Sequence, residues 1–302
     1  MDRRLYLPQR WFEPEYQERR QRCRIPQETT FQTKPQLALG LLQPLLATQQ
    51  FGGRWISCDC SYGNNEPFLA QLPKDFYYLA EIACTRKVWP TACAAKPHWK
   101  EEGATAEQLL SLKSLWHGQT HKTAEGEKGP LVAAFARVRV YLSPERTPES
   151  ERWLVLRNDA NGQIKYALSN APSQTSLREL VRVSGARGPI DRCFEENKSE
   201  LGLDHYEHRS GPAWHRHMRL VFKAQLFLVR PQLKFKKTPA LTLPQARLLL
   251  ECSLPDPQRE SSYVLILLEY HTRRNYQAYQ SYWKRRMLEL TKWKSLKKSL
   301  WC

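Results

Sequence analysis

The chain has 302 residues, 41% hydrophobic and 25% charged, a composition typical of folded domains that excludes a wholly disordered or collagen-like polypeptide. No apolar run approaches the ~18–20 residues of a membrane span. No apolar segment follows Met1-Asp2-Arg3-Arg4 to mark a secretory signal, so a cytoplasmic chain without a membrane partner is expected. Lysine and arginine number 47 against 30 aspartates and glutamates, a net charge of +17. An excess of that size predicts a polyanionic partner, through phosphate neutralisation and counterion release.

In chain order, residues 5–7 read as a short strand followed by a charged, proline-bounded loop. Residues 34–50 carry apolar side chains at helical spacing despite Pro44 and predict a helix packed on a sheet. Residues 54–61 (RWISCDCS) read as a strand ending in the turn signal Tyr62-Gly63-Asn64-Asn65. A short helix over 66–72 and a strand over 76–82 (FYYLAEI) follow. Helices alternating with strands imply a parallel sheet with crossovers.

The pattern then changes. Residues 84–129 read as irregular, with one helix over 105–116. Strands then follow in succession over 131–142, 152–157 and 164–169, the last two joined across the hairpin signal Asn161-Gly162. A run of β structure inside an α/β pattern implies an inserted subdomain. Helices are expected over 176–187, from Pro189 to about Leu201, and over 214–229, with Leu220, Val221, Ala224, Phe227 and Leu228 on the apolar face of the last. Proline-rich linkers over 231–244 and 255–257 lead to residues 263–268 and a basic tail. From His271 to Cys302 nine lysines and arginines, among them Arg273, Arg274, Lys284 and Arg285, face the single Glu289. Tyr276, Tyr279, Tyr282, Trp283, Trp293 and Trp301 are interleaved with them. That mixture reads either as a solvated extension or as a surface for a phosphate backbone with bases stacked nearby, and nucleic acid is the favoured partner. The eight cysteines show no paired C-x-x-C spacing; Cys58 and Cys60 point the same way on a strand, away from Asp59, and reduced, mostly buried thiols are expected rather than zinc.

Two carboxylates stand out. Asp59 lies at the C-terminal end of a parallel strand, where open α/β sheets bind ligands, sharing a face with Trp55 and Ser57. It reads equally as a turn-forming residue that accepts from the following amides. Asp191 falls, with Arg187, Glu195 and Lys198, at spacings of four and seven that put them on one helical face. An i,i+4 ion-pair stripe would show the same spacing.

Several runs resemble bacterial insertion-sequence DDE transposases: DRRLYLP at 2–8, Thr33-Lys34-Pro35, WISCDCSYG at 55–63, Leu168-Ser169-Asn170-Ala171, GLDHYEHR at 202–209, Trp214-His215-Arg216-His217 and HTRRNYQAYQSYWKRR at 271–286. The resemblance implies an α/β fold: an incomplete ribonuclease-H-like core interrupted by a β-rich insertion, followed by helices and a basic tail. The expected division is residues 1–90 for the first part of the core, 91–175 for the insertion, 176–250 for its helical second part and 251–302 for the basic aromatic extension. Such enzymes cut and join DNA strands using Mg²⁺, with Mn²⁺ an alternative, held between two aspartates and a glutamate.

By position, Asp59 matches the second catalytic aspartate and Asp191 the catalytic glutamate, both as metal ligands. Arg187 and Lys198 match basic residues that resemble phosphate contacts, and His208, Arg209 and Arg216 read as surface groups facing DNA. The chain departs from the pattern in several places. Ser184 stands for the usual tyrosine of the signature, Gly188 for an aromatic, and Asp191 for a glutamate one methylene longer. Glu195, one turn along, is a candidate to compensate. The first catalytic aspartate lies on a strand upstream of DRRLYLP, so that the expectation is a truncated, catalytically impaired copy whose strand over 54–61 has an open edge; Asp2 is a poor substitute for the missing ligand. The histidines around Trp214 read as helix packing rather than a metal box, since His215 and His217 project to different sides. Trp99, Trp116 and Trp153 read as core, with stacking on a displaced base as the alternative.

The functional readings are therefore a DDE-type transposase acting on element ends and target DNA, or a non-catalytic DNA-binding relic that inhibits the intact enzyme. Homodimers or heterodimers with intact transposase and a nucleoid location would follow from either. A ribosome-associated basic protein is the remaining class.

Overall fold

The computed structural model describes residues 3–48, 52–90, 98–110, 118–126, 129–234, 242–253 and 261–301. Asp2, Cys93 and Trp116, and the proposed linker over 255–257, lie outside them. The elements in order are 3₁₀ turns at Gln9–Phe12 and Pro14–Tyr16, α1 (Gln17–Arg22), α2 (Lys34–Ala47), β1 (Trp55–Cys58), α3 (Cys60–Gly63), α4 (Glu66–Ala70), β2 (Tyr77–Ile82), β3 (Lys87–Pro90), α5 (Trp99–Glu102), β4 (Ala104–Thr105), α6 (Ala106–Leu110), β5 (Gln119–Gly126), β6 (Gly129–Tyr141), β7 (Glu151–Asp159), β8 (Ile164–Ser169), α7 (Leu177–Ala186), α8 (Gly188–Leu201), α9 (Gly211–Lys234), α10 (Leu243–Ser253) and α11 (Ser261–Trp301). Two compact units result, one of residues 1–37, 127–129 and 188–284, the other of 38–126, 130–187 and 285–302.

The second unit is built on an eight-stranded mixed sheet of order β1-β2-β8-β7-β6-β3-β4, with β5 paired to β6. It is a mixed α/β architecture of the ribonuclease-H-like class. β1 and β2 run parallel, Trp55 opposite Tyr77 and Cys58 opposite Ala80, as the crossover through α3 and α4 requires. From β2 onward the pairing turns antiparallel, through β8, β7 and β6. The strands expected as an insertion therefore continue the same sheet from the far side of β2. β1 ends the sheet, with no partner on its other side among the described residues.

Strand alternation sorts side chains to two faces. On one, Tyr78, Ala80, Ile82, Leu154, Leu156 and Leu168 pack with Leu39 of α2, Phe68 and Leu69 of α4 and Leu109 of α6. On the other, Leu79, Phe135, Trp153 and Val155 meet Leu180, Val181 and Val183 of α7. Ser176 caps α7, accepting from the Glu179 amide at 3.2 Å. Asn170 closes the end of β8 onto the start of β2: its Oδ1 accepts from the Tyr78 amide at 2.7 Å and its Nδ2 donates to the Phe76 carbonyl at 3.2 Å. Trp99 and Trp153 are buried; the guanidinium groups of Arg137 and Arg139 lie 4.1 and 4.8 Å from the Trp153 ring, which donates to the Pro172 carbonyl at 3.0 Å. It is occupied as a core residue, not free to receive a base.

In the first unit, Leu228, Leu243 and Ala246 gather Leu201, Val229 and Leu250 into a small core. The buried Asn197 of α8 donates to Gln225 of α9 at 2.9 Å, and Arg247 of α10 lies 3.4 Å from Glu200 of α8. The buried stripe of α9 is Val221 and Leu228 on either side of half-buried Gln225, while Leu220 and Phe227 are 60% and 59% exposed. The apolar side chains fill a wider arc than the neighbouring helices cover.

Several expectations need correction. Residues 5–7 form no strand pairing among the described residues. The region over 84–129 contains β3, β4 and β5, and the expected helix over 105–116 is described as α6 only to Leu110. Pro231 sits inside α9 and Pro244 in the first turn of α10, so neither marks a linker. Among the described residues no cysteine assigned a burial is buried: Cys60 and Cys84 are exposed, and Cys23, Cys58 and Cys193 are half-buried. No helix among the described residues is long and apolar enough to cross a membrane.

The tightest constraint in the sheet unit is at Gly63. A Cβ there would lie 1.9 Å from the backbone oxygen of Glu81, a contact no rotamer can relieve. Gly63→Ala is expected to lower unfolding stability by about 1–3 kcal/mol, read in a urea titration. An unchanged midpoint would show that α3 does not press on β2.

Candidate functional site

Asp59 follows directly on β1 and is the N-cap of α3. Its backbone is extended (φ −82°, ψ −179°), its Oδ1 accepts from the Ser61 amide at 2.9 Å and the Tyr62 amide at 3.4 Å, and its carbonyl accepts from the Gly63 amide at 2.8 Å. The turn-forming role foreseen for this aspartate is thus realised, at the strand end where a ligand-binding carboxylate was also expected. α3 is short because Asn64 turns back, its Oδ1 accepting from the Ala83 amide at 3.1 Å, and Asn65 starts α4 by accepting from the Phe68 amide at 2.9 Å.

Glu81, on β2, joins this group, although sequence reasoning passed over it. It forms an ion pair with Arg187, each side chain about a quarter exposed (25% and 24%). The electrostatic consequence is written on the two cysteines. Burial pushes the Cys58 thiol up to about 12, aided by the Asp59 charge, with Arg187 pulling the other way and Glu81 adding to the rise. The exposed Cys60 thiol is also raised, first by burial and then by Glu81 and Asp59, against Arg187 and Lys165. Asp59, Glu81, Arg187 and Lys165 therefore share one electrostatic neighbourhood. The only signal for Glu81 was a single acid in an apolar strand.

Arg187 is the C-cap of α7, its backbone still helical (φ −77°, ψ −35°), and stands one residue before the helix that carries Asp191, Glu195 and Lys198. α7 ends at Ala186 and α8 begins at Gly188, with Arg187 as a single turn residue between them. Asp191 is exposed in the first turn of α8, as are Glu195 and Lys198 further along. On the same helix Arg192 lies 3.2 Å from Glu196, the ion-pair spacing the sequence allowed. Asp59 belongs to the sheet unit and Asp191 to the other. Among the described residues no three histidine, cysteine, aspartate or glutamate side chains gather to hold a metal ion. Among the described residues, Asp59 and Asp191 are therefore not joined by a third carboxylate of the kind Mg²⁺ chemistry needs.

Of the histidines on α9, His217 is structural. His217 Nε2 donates to the Gly202 carbonyl at 3.0 Å and reaches the Leu203 carbonyl at 3.3 Å, with the Tyr206 ring 5.6 Å away. The His215 carbonyl accepts from Arg3 Nε at 3.0 Å. The His215 imidazole is held below its ordinary value by burial and then by Arg3 and Arg219.

His208 and Arg209, in the loop before α9, and Arg216 on it are exposed. The basic tail is no loose extension: α11 runs unbroken from Ser261 to Trp301. Winding sorts what the linear sequence interleaves. At 3.6 residues per turn, Arg273, Arg274, Lys284 and Arg285 fall within roughly 120° of arc and Tyr276, Tyr279, Tyr282 and Trp283 on the opposite side. Those four cations are exposed, while Tyr279 and Tyr282 are half-buried. Arg273 lies 2.6 Å from Glu269, and Arg274 stacks on Tyr270 at 5.7 Å.

Residues 1–115 match the sequence model of a family described as DDE superfamily endonuclease. The matched segment contains Asp59 and Glu81 and covers little more than a third of the chain. No curated protein matches the chain.

The thiols report on the carboxylates. With iodoacetamide at about pH 9, Cys60 is expected to be alkylated well ahead of Cys58, measured by peptide mass spectrometry. Arg187→Gln should slow Cys60 further, because it leaves the Glu81 charge unopposed. Equal rates at the two thiols, or faster labelling in the variant, would contradict the arrangement.

Proposed function

We propose that this chain is a DDE-type transposase polypeptide of an insertion sequence, which binds DNA at element ends and is catalytically impaired by itself. The observation that carries the reading is Asp59 at the C-terminal end of β1, on the parallel strand pair of the sheet and inside the segment matched as a DDE endonuclease. Asp59 and Asp191 are the carboxylates proposed for catalysis and metal binding. Two aspartates cannot hold two Mg²⁺ or Mn²⁺ ions in register without a third carboxylate.

What the chain's own residues do in this reading is hold phosphate. Lys198, His208, Arg209 and Arg216 form one set of proposed contacts, and Arg273, Arg274, Lys284 and Arg285 a second along one face of α11. Arg187 would have to leave Glu81 to reach a phosphate. The proposed division stays that of a core in two parts (1–90 and 176–250), a β-rich segment between them (91–175) and the C-terminal extension (251–302), with self-association or pairing with an intact transposase, and a place on the nucleoid.

A second reading, a non-catalytic DNA-binding relic that inhibits the intact enzyme, is favoured by one feature: Asp59 Oδ1 is already committed to two backbone amides of α3. Incubating the full chain with duplex carrying the element's ends in Mg²⁺ or Mn²⁺ tests both. Binding without nicking is expected; nicking that vanishes in Asp59→Ala would overturn the impairment. Replacing Arg273, Arg274, Lys284 and Arg285 by glutamine should reduce the slope of log K against log salt by about 0.9 for each phosphate that is no longer neutralised. An unchanged slope would take α11 off the DNA.

A further inference from the structure

A cavity of about 240 Å³ opens within the unit of residues 1–37, 127–129 and 188–284, far along the chain from the carboxylates discussed above. Leu5, Leu7, Phe12 and Ile25 give it an apolar lining, with Phe12 braced edge-on by Phe31 at 5.9 Å. Arg4 and Arg24, both exposed, line it too, and neither has an acidic partner among the described residues. His215 adds a wall group whose protonation is disfavoured by burial and then by Arg3 and Arg219.

Arg24 is held in an unusual way. Its φ is +52°, a left-handed conformation that costs a side chain with a Cβ and that glycine or asparagine adopts freely. The strain is fixed from both sides: the Arg24 amide donates to the Gln21 carbonyl at 2.9 Å, and the Gly211 amide donates to the Cys23 carbonyl at 2.8 Å. A Cβ at Gly211 would meet Ile25 Cδ1 at 3.2 Å, a contact the end of that side chain would have to yield to by a few tenths of an ångström. Arg24 occupies the left-handed turn that ends α1, closed by the Ile25 amide donating to the Arg20 carbonyl at 3.0 Å; what points to an anionic ligand is that Arg4 and Arg24, without an acidic partner among the described residues, both line an apolar cavity.

We propose that this cavity binds a nucleotide, its phosphate held by Arg4 and Arg24 and its base laid on the lining of Leu5, Leu7 and Phe12. Guanidinium groups match phosphate geometry, and an aromatic and aliphatic surface accepts any base face. The same chemistry is offered by a free mononucleotide and by an unpaired nucleotide of a DNA strand. The site does not depend on the catalytic reading, because none of its residues belongs to it.

Calorimetry on the full chain with deoxyadenosine monophosphate and with deoxyadenosine separates the phosphate from the base. The monophosphate is expected to bind, and Arg24→Gly and Arg4→Gln each to weaken it by about tenfold. Arg24→Gly should do so with an unchanged or higher melting temperature, since it relieves the backbone while removing the cation. A second arm compares a duplex carrying one unpaired adenosine with the fully paired duplex. A preference for the unpaired form that Arg24→Gly abolishes identifies the strand as the source. Monophosphate binding abolished in the variants without such a preference identifies a free nucleotide. Deoxyadenosine binding as tightly as the monophosphate, or both arms indifferent to Arg24→Gly and Arg4→Gln, would overturn the proposal. If Arg24→Gly lowers the melting temperature, the strain argument falls and Arg4→Gln alone decides whether the phosphate is held.

Discussion

The closest approach in the sheet unit is between two backbones. Gly63, at the end of α3, lies against the carbonyl of Glu81 on β2 with no room for a methyl group. Because α3 begins at Asp59, that contact sets how the end of β1 is carried over its parallel neighbour, and hence where the Asp59 carboxylate stands relative to Glu81. The Asn64 bond to the Ala83 amide holds the same corner from the other side. A two-strand crossover this short leaves few alternative paths, so the chemistry available at the strand ends follows from a packing requirement rather than from the carboxylates themselves.

The rest of the sheet repeats the device. Gly185 of α7 would place a Cβ 2.3 Å from the Thr123 carbonyl of β5, so this helix too approaches a strand without a side chain between them. Between these points the sheet is secured by side chains that reach across strands: Asn170 bridges β8 to β2, and Arg152 donates to the Tyr78 hydroxyl at 2.8 Å. The cluster of Arg137 and Arg139 at Trp153 removes two cations from the solvent face and gives the indole a role that its hydrophobicity alone would not specify. Burial lowers the affinity of the Arg137 guanidinium for its proton, and Arg139 beside it acts in the same direction.

Much of this was legible in the sequence where periodicity was strong. β2, β6, β7 and β8, and helices α2, α7, α8 and α9, fall within a few residues of their expected places because each has a long apolar pattern and clear ends, such as Ser176 before α7. β3 and β4 were missed since four and two residues are too few to show alternation, and β5 because Gln119–Gly126 carries one alanine among polar groups. α10 was hidden by its prolines, read as breakers although Pro244 occupies the first turn, where its missing amide costs nothing. Arg187 illustrates a different limit: the regular spacing starts at the residue between two helices, and its guanidinium pairs with Glu81. That partnership depends on a fold bringing positions 81 and 187 together, which no local pattern encodes. Asp59 was readable in position and in its capping role, whereas the segregation of charge and aromatics around α11 needed the whole helix to be continuous.

The outer edge of the sheet has one more implication. β1 is only four residues long, and in a strand alternate residues direct their amide and carbonyl groups to the same side, so roughly two residues present theirs outward. So brief a ledge offers little footing for indiscriminate stacking of one molecule on the next, and very short margins are one way that natural proteins avoid it. It is long enough, though, to seat one further extended segment, and with so few rungs the alignment of any such segment would have to be dictated by side chains rather than by the ladder.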